Sequence, residues 1–302
     1  MERFIKLMRV KHYVKNLLLF VPLLFSGLFF STNRILPAVL GFMSFCFASS
    51  AVYIINDIFD AEKDRSHETK RDRPIASGAV SKTSAKILAV IMLFFSLIIN
   101  FSIYFFTVRH SSWVLLVGYV VLNIAYSAQL KNIPILDVVI LASGFLIRVF
   151  YGSVVTKIDV SVWLYLTVLM FSFYMSLGKR RNELAKMPQA KSGATRDVLE
   201  HYNFNFLDKN MYVCMMLTIV FYSLWTIDDS TMARVGTNAL IGTIPLVMII
   251  FMKYNLIIEK DSDGDPIEVL LSNKPLIVLV GLFVLCIGII FYKNMIVGWI
   301  SV

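Results

Sequence analysis

Asn56-Asp57-Ile58-Phe59-Asp60-Ala61-Glu62-Lys63-Asp64 follows directly on the apolar run 35–56. That run is long enough to cross a bilayer, because a spanning helix needs about 20 apolar residues. The stretch after it puts ionised groups at the membrane boundary. Charges there are costly unless they are paired or bind something. On a helix, Asp57, Asp60 and Asp64 fall at i, i+3 and i+7, which is one face. Carboxylates converging on one face beside the Asn56 amide make a hard-oxygen site suited to Mg²⁺ carrying a diphosphate. The stretch therefore ties a membrane span to phosphate chemistry at the membrane surface.

The rest of the chain repeats the apolar pattern. Its 302 residues are 58% hydrophobic, and the mean hydropathy is +0.72. Soluble domains average about 45–50% apolar. Nine spans are expected, over 14–31, 35–56, 84–107, 111–128, 134–155, 160–178, 209–227, 236–253 and 275–298. The first does not read as a removable signal peptide. No small-residue cleavage site follows it, and Lys15 and Asn16 lie at its start. The runs are continuous rather than alternating, which excludes a β-barrel. The expectation is an all-α integral membrane protein, read as one membrane domain over 1–302.

Charge sets the expected orientation. With the N-terminus in the cytoplasm, 23 of the 29 Lys and Arg fall on the cytoplasmic side. Only Arg34, Arg109, Lys157, Arg234 and Lys293 fall outside, and Arg148 lies within a span. This is a positive-inside pattern. It places the N-terminus in the cytoplasm and the C-terminus outside. The net charge of +9 is thus a property of the cytoplasmic face. Part of it serves topology and headgroup attraction, and the rest is available to an anionic substrate. Nothing in the pattern calls for nucleic acid. Cys46, Cys214 and Cys286 each sit alone in an apolar run, without metal-ligand or redox spacing.

The polar segments carry the chemistry. After the acidic face comes a basic loop from His67 to Pro74, continuing to Gly78. The end of the sixth span reads Gly178-Lys179-Arg180-Arg181-Asn182-Glu183. Such a cluster can be topology alone, or it can hold phosphate, because Arg donates in a bidentate fork and Lys acts as a point charge. Arg196, Glu200, His201 and Tyr202 include the i, i+4 spacing of a short helix. Asp137 and Arg148 are 11 residues apart, so they share a helix face. A buried Arg pairs with an acid or with a ligand, and both readings of Arg148 stay open. Asn123, Tyr126, Ser127 and Lys131 form a polar end to the fourth span. Tyr126 also suits an interfacial anchor, while Lys131 can reach into a cytoplasmic cavity. Asp261-Ser262-Asp263-Gly264-Asp265 has the look of a calcium loop, but Ser272 stands where that loop needs an acid, so a turn is expected.

These residues together resemble a family. The nine-span layout and Asn56-Asp57-x-x-Asp60-x-x-x-Asp64 resemble the UbiA superfamily of intramembrane prenyltransferases. Within it the chain resembles the decaprenyl-phosphate phosphoribosyltransferase branch. Arg9-Val10-Lys11-His12-Tyr13-Val14-Lys15-Asn16 is similar to that branch's Arg-Pro-x-Gln-Trp-x-Lys-Asn opening, with His12-Tyr13 as a departure. Lys70-Arg71-Asp72-Arg73-Pro74-Ile75-Ala76-Ser77-Gly78, Tyr126-Ser127-x-x-Leu130-Lys131, Gly144-Phe145-Leu146-Ile147-Arg148 and Gly178-Lys179-Arg180 also match. Aromatic prenyltransferases of the superfamily carry a second Asp-x-x-x-Asp motif after the sixth span. Here that place is the basic Lys179-Arg180-Arg181-Asn182-Glu183.

The resemblance implies a UbiA-type bundle with a cytoplasmic cavity in the cell membrane. It implies transfer of 5-phosphoribosyl from phosphoribosyl pyrophosphate to a polyprenyl phosphate. Asp57, Asp60 and Asp64, helped by Asn56, would hold Mg²⁺. Lys15, Asn16, Lys70, Arg73, Tyr126, Lys131, Arg148, Lys179 and Arg180 would contact substrate phosphates. Association through the membrane helices, up to a trimer, fits the same resemblance. Two other readings stay open. An aromatic prenyltransferase predicts the missing second acidic motif. A lipid carrier predicts internal repeats and helices broken at the midplane.

Overall fold

A bilayer offers the backbone no water, so each N–H and C=O of an apolar run must be paired within the segment. The described residues follow that rule as helices. The computed structural model describes residues 2–66, 70–105, 111–186, 197–260, 269 and 272–300. The helices are α1 (Glu2–Met8), α2 (Val21–Leu24), α3 (Thr32–Ser66), α4 (Lys82–Ser102), α5 (Ser112–Ala128) and α6 (Leu136–Thr156). They continue as α7 (Val162–Ala185), α8 (Phe204–Thr226), α9 (Asp229–Val235), α10 (Ile244–Lys260) and α11 (Lys274–Ile300). Residues 67–69, Arg109, Arg196 and 261–265, which entered the sequence reading, lie outside the described residues.

Among the described residues, six helices are long and apolar enough to cross a membrane. A seventh span arises if α8 and α9, bent by 58°, count as one. The expected nine spans differ from this at two places. The expected span 111–128 is α5, an apolar helix of 17 residues at the short end of the spanning range. The expected span 14–31 is not one helix. Residues Val10–Phe20 form a 3₁₀ helix that passes into the four-residue α2. Pro22 lies in the first turn of α2 and cannot donate to the preceding turn. Ser81 and Ser161 cap α4 and α7, each accepting from the backbone N–H three residues on.

The helices pack into one continuous set. α3 lies along α4, α7 along α8, and α6 touches both α5 and α7. The 3₁₀ segment Val10–Phe20 packs against α3 and α6. Leu19, Phe45, Tyr119, Tyr151 and Val155 form one apolar cluster there. A second cluster joins Tyr174, Leu207, Met211 and Tyr254 between α7, α8 and α10.

One glycine permits the first of these crossings. A Cβ on Gly152 of α6 would lie 1.9 Å from the Leu19 carbonyl oxygen. That atom is backbone and cannot step aside, so Gly152→Ala must push the 3₁₀ segment off α6. We expect a loss of stability at or above the usual overpacking cost of about 1–3 kcal/mol. Thermal unfolding of the detergent-purified variant checks this. A melting temperature equal to the parent would mean that the segment can shift freely.

Candidate active site

The acidic face forms as the spacing predicts, on the last turns of α3. Acids near a helix C-terminus face its negative end, so cations must come from elsewhere in the fold. Three do. Arg9 Nη2 lies 2.5 Å from Asp57 Oδ1. Arg73 Nη1 lies 3.2 Å from Asp57 Oδ1 and 2.7 Å from Asp64 Oδ2. Lys131 Nζ pairs with Asp60 Oδ1. Asn56 Nδ2 donates to Asp60 Oδ2 at 3.1 Å, and Ser127 Oγ donates to Asn56 Oδ1 at 3.0 Å. Asp57 and Asp64 are buried.

The three cations reach the triad from three different places. Arg9 joins α1 to the 3₁₀ segment with φ of 53°, a left-handed conformation that a non-glycine residue rarely adopts. Its guanidinium also lies 5.3 Å from the centre of the Tyr53 ring. Arg73 comes from the loop after α3, and Lys131 from the 3₁₀ turn between α5 and α6. That turn is held by Tyr202. Its hydroxyl accepts from Ile135 N at 2.6 Å and donates to Asp137 Oδ1 at 2.6 Å. Ile135 has φ of 68°, which is costly for a β-branched residue and persists only where its surroundings hold it. Burial, with the hydrogen bond to Asp137, pushes the Tyr202 hydroxyl up to about 12. It therefore remains a donor at any physiological pH.

These side chains surround a cavity of about 550 Å³. Its lining includes Asn56, Asp57, Asp60, Asp64, Lys15, Lys70, Arg73, Tyr126, Lys131, Arg148 and Lys179. Among the described residues, nine Lys and Arg line it against four Asp and Glu. Such an excess of one charge sign, within low-dielectric walls, attracts anions. Two expected site residues sit elsewhere. Asn16 is fully buried behind the wall and donates through Nδ2 to Ser49 Oγ at 3.1 Å. Arg180 is also fully buried.

Arg180 changes the reading of the basic motif. Its Nε lies 2.5 Å from Asp137 Oδ2, its Nη1 pairs with Glu183, and its Nη2 donates to Tyr126 OH at 2.7 Å. A guanidinium engaged in this way meets the cavity through Tyr126 and Glu183, which both line it. Of the two readings open for Arg148, pairing with Asp137 is not formed. Both residues lie on α6, but Asp137 turns to α7 and to Tyr202, while Arg148 meets Asn16, Gly144 and Tyr119. A shared helix face makes such a pairing available, and neighbouring helices decide it. Arg9, Glu183 and Ser127 join the site although the sequence motifs give them no individual role. Their positions in the Arg9–Asn16, Gly178–Glu183 and Tyr126–Lys131 motifs were the signal.

The donor set suits a hard cation. Carboxylates and an amide oxygen are its preferred ligands, and Mg²⁺ commonly takes one or two carboxylates together with substrate phosphates and water. Among the described residues no three acidic, His or Cys side chains close up into a ligand cluster of their own. Each acid of the triad is instead drawn towards a basic partner. The triad therefore offers a shared face of oxygens to which a diphosphate can add ligands.

Comparison with known proteins shows the family. Residues 19–181 match the UbiA prenyltransferase family. The chain is 32% identical over 293 residues to the decaprenyl-phosphate phosphoribosyltransferase of Corynebacterium glutamicum, covering 95% of this chain and 86% of that one. It is 32% identical over 298 residues to the enzyme of that name from Mycolicibacterium smegmatis, covering 95% and 92%. Among solved structures, a UbiA homolog from Archaeoglobus fulgidus bound to GPP and Mg²⁺ superposes with a TM-score of 0.70. That structure shares 18% identity, covers 96% of this chain and 99% of its own, and speaks for the fold.

Proposed function

The chain belongs to the UbiA prenyltransferase family and is a multi-pass, all-helical membrane protein, and on that footing we propose that it is a polyprenyl-phosphate phosphoribosyltransferase. It transfers 5-phosphoribosyl from phosphoribosyl pyrophosphate to a decaprenyl-like phosphate and releases pyrophosphate. The observation that carries this reading is the cavity's charge: among the described residues, nine basic side chains line it against four acidic ones. A prenyl diphosphate acting on an aromatic acid brings two anionic groups. A phosphoribosyl donor and a lipid phosphate together bring three. The likeness to curated decaprenyl-phosphate phosphoribosyltransferases supports the same choice.

Each residue has a proposed role. Asp57, Asp60 and Asp64, with Asn56, hold Mg²⁺, which when bound stabilises the charge of the leaving pyrophosphate. Arg9, Arg73 and Lys131 already reach the triad's oxygens, so they stand beside any diphosphate placed there. Lys15, Lys70 and Lys179 line the same space and supply point charges to phosphate oxygens. Tyr126, held by Arg180, lines the cavity. Asn16 holds Arg148 at the inner wall. The lipid phosphate oxygen attacks C1 of the ribose, forming the new C1–O bond as the bond to pyrophosphate breaks. That phosphate is ionised at neutral pH, so no general base is needed. Orientation and charge stabilisation supply the rate.

The positive-inside count supports a cavity mouth and N-terminus in the cytoplasm and a C-terminus outside, in the cell membrane. We read the chain as one domain over 1–302 with nine membrane-associated segments, and assembly through its helices as the family's mode. The reaction is tested in membranes containing the protein, with labelled phosphoribosyl pyrophosphate and polyprenyl phosphate, with and without Mg²⁺. Metal-dependent label in the lipid phase is expected. Prenylation of an aromatic acid from a prenyl diphosphate, with no label in the lipid, would overturn the reading.

A further inference from the structure

Arg148 is buried at the inner wall of the cavity, and among the described residues it has no acidic partner. It is 4% exposed and lines the cavity. Nε donates to Asn16 Oδ1 at 2.8 Å, Nη1 to the Gly144 carbonyl at 2.6 Å, and Nη2 to Tyr119 OH at 3.1 Å. All three acceptors are neutral. The Phe45 and Tyr119 rings lie 5.1 and 4.9 Å from the guanidinium carbon. These acceptors use three of the five N–H donors that a guanidinium carries, leaving one on each terminal nitrogen.

The other buried basic side chains among the described residues are compensated. Arg180 meets Asp137 and Glu183, and Lys131 meets Asp60. A buried charge without a counter-charge is expensive. A lysine can escape that cost by losing its proton, but an arginine cannot. Two aromatic faces offset part of it. The remainder calls for an anion arriving through the cavity.

Position separates this anion from the one on the acidic triad. Phe45, which packs on Arg148, precedes Asp57 by 12 residues on α3, about 18 Å along the helix. Tyr119 precedes Tyr126 by seven residues on α5, about 10 Å. A diphosphate seated on Asp57, Asp60 and Asp64 therefore leaves Arg148 to a second group, deeper in the bundle.

Resting on the function proposed above, we propose that Arg148 forms the floor of a separate phosphomonoester subsite. This second subsite makes the cavity select a donor–acceptor pair with phosphate at both depths. A prenyl diphosphate would instead lay hydrocarbon against an uncompensated guanidinium. Two phosphomonoesters are available in the reaction, the 5-phosphate of the donor and the headgroup of the lipid acceptor.

Binding to the purified full-length protein distinguishes them. Ribose 5-phosphate, farnesyl phosphate and inorganic pyrophosphate with Mg²⁺ are titrated separately against wild type, Arg148→Lys and Arg148→Gln. Arg148→Gln is expected to weaken one phosphomonoester about 10–100-fold, the range of a lost charge-assisted hydrogen bond. Arg148→Lys should fall between, and pyrophosphate should change by less than about threefold. Loss of ribose 5-phosphate assigns the subsite to the donor, and loss of farnesyl phosphate assigns it to the acceptor. Unchanged binding of both, or a parallel loss of pyrophosphate, overturns the proposal. If Arg148→Gln fails to fold, Asn16→Asp serves instead. It sets a carboxylate against Nε and should weaken the same phosphomonoester. Turnover of phosphoribosyl pyrophosphate by the wild type is measured on the same preparation. Its absence counts against the reaction itself, whereas normal turnover with unaltered binding counts against the Arg148 subsite alone.

Discussion

Asp57→Asn is expected to lower phosphoribosyl transfer by about 10²–10³-fold, the scale on which loss of one preorganised electrostatic group acts. The substitution keeps the size of the side chain and removes the charge. Asp57 is 3% exposed and is the shared partner of Arg9 and Arg73. Neutralising it weakens the oxygen face available to Mg²⁺ and leaves two guanidinium groups competing for Asp64. The loss should be in kcat, and higher Mg²⁺ should recover part of it. Radiolabel transfer into the lipid phase across a Mg²⁺ titration reads this directly. Activity within about threefold of the parent at all metal concentrations would remove Asp57 from the reaction. The same result would favour a carrier that performs no metal chemistry.

Asp137→Ala should have the largest effect on stability. Asp137 and Arg180 are both fully inaccessible, and their side chains meet at 2.5 Å. Removing one partner of a buried pair costs about 3–5 kcal/mol, because the other charge is left uncompensated. Glu183 remains beside Arg180 and limits the damage, but Tyr202 also loses its acceptor. A fall in melting temperature on the order of 10 °C is expected. The double variant Asp137→Leu/Arg180→Met should regain much of it, since apolar replacements of buried pairs are often neutral. It should not regain activity, because Tyr126 would lose the donor that orients it. A single variant as stable as the parent would show that Glu183 alone balances Arg180.

Much of the fold was legible in the residues. Apolar runs of membrane length can be read directly, because hydrocarbon allows no unpaired backbone and so permits only helices or closed barrels. The acidic face was legible for the same local reason: Asp57, Asp60 and Asp64 are spaced by the helical period, and no tertiary contact is needed to align them. The motifs around Lys70, Tyr126, Gly144 and Gly178 marked the segments that line the cavity. One span differs in form from its expectation. Hydropathy reports the composition of a segment and not its hydrogen-bond ladder, so it could not see that Val10–Phe20 is a 3₁₀ helix running into Pro22.

What the sequence alone determined is therefore periodic and local: helices, their membrane spacing, and three carboxylates on one face. Tertiary structure decided which charges meet. Asp137 finds Arg180 across 43 residues, Arg148 finds Asn16 across 132, and Arg9 finds Asp57 across 48. Each of these choices depends on how neighbouring helices rotate and cross. A one-dimensional pattern carries a residue's own helical phase but not the phase of the helix packed against it. For that reason a cluster read as Lys179 and Arg180 together divides in three dimensions. Lys179 lines the cavity, and Arg180 lies locked behind it.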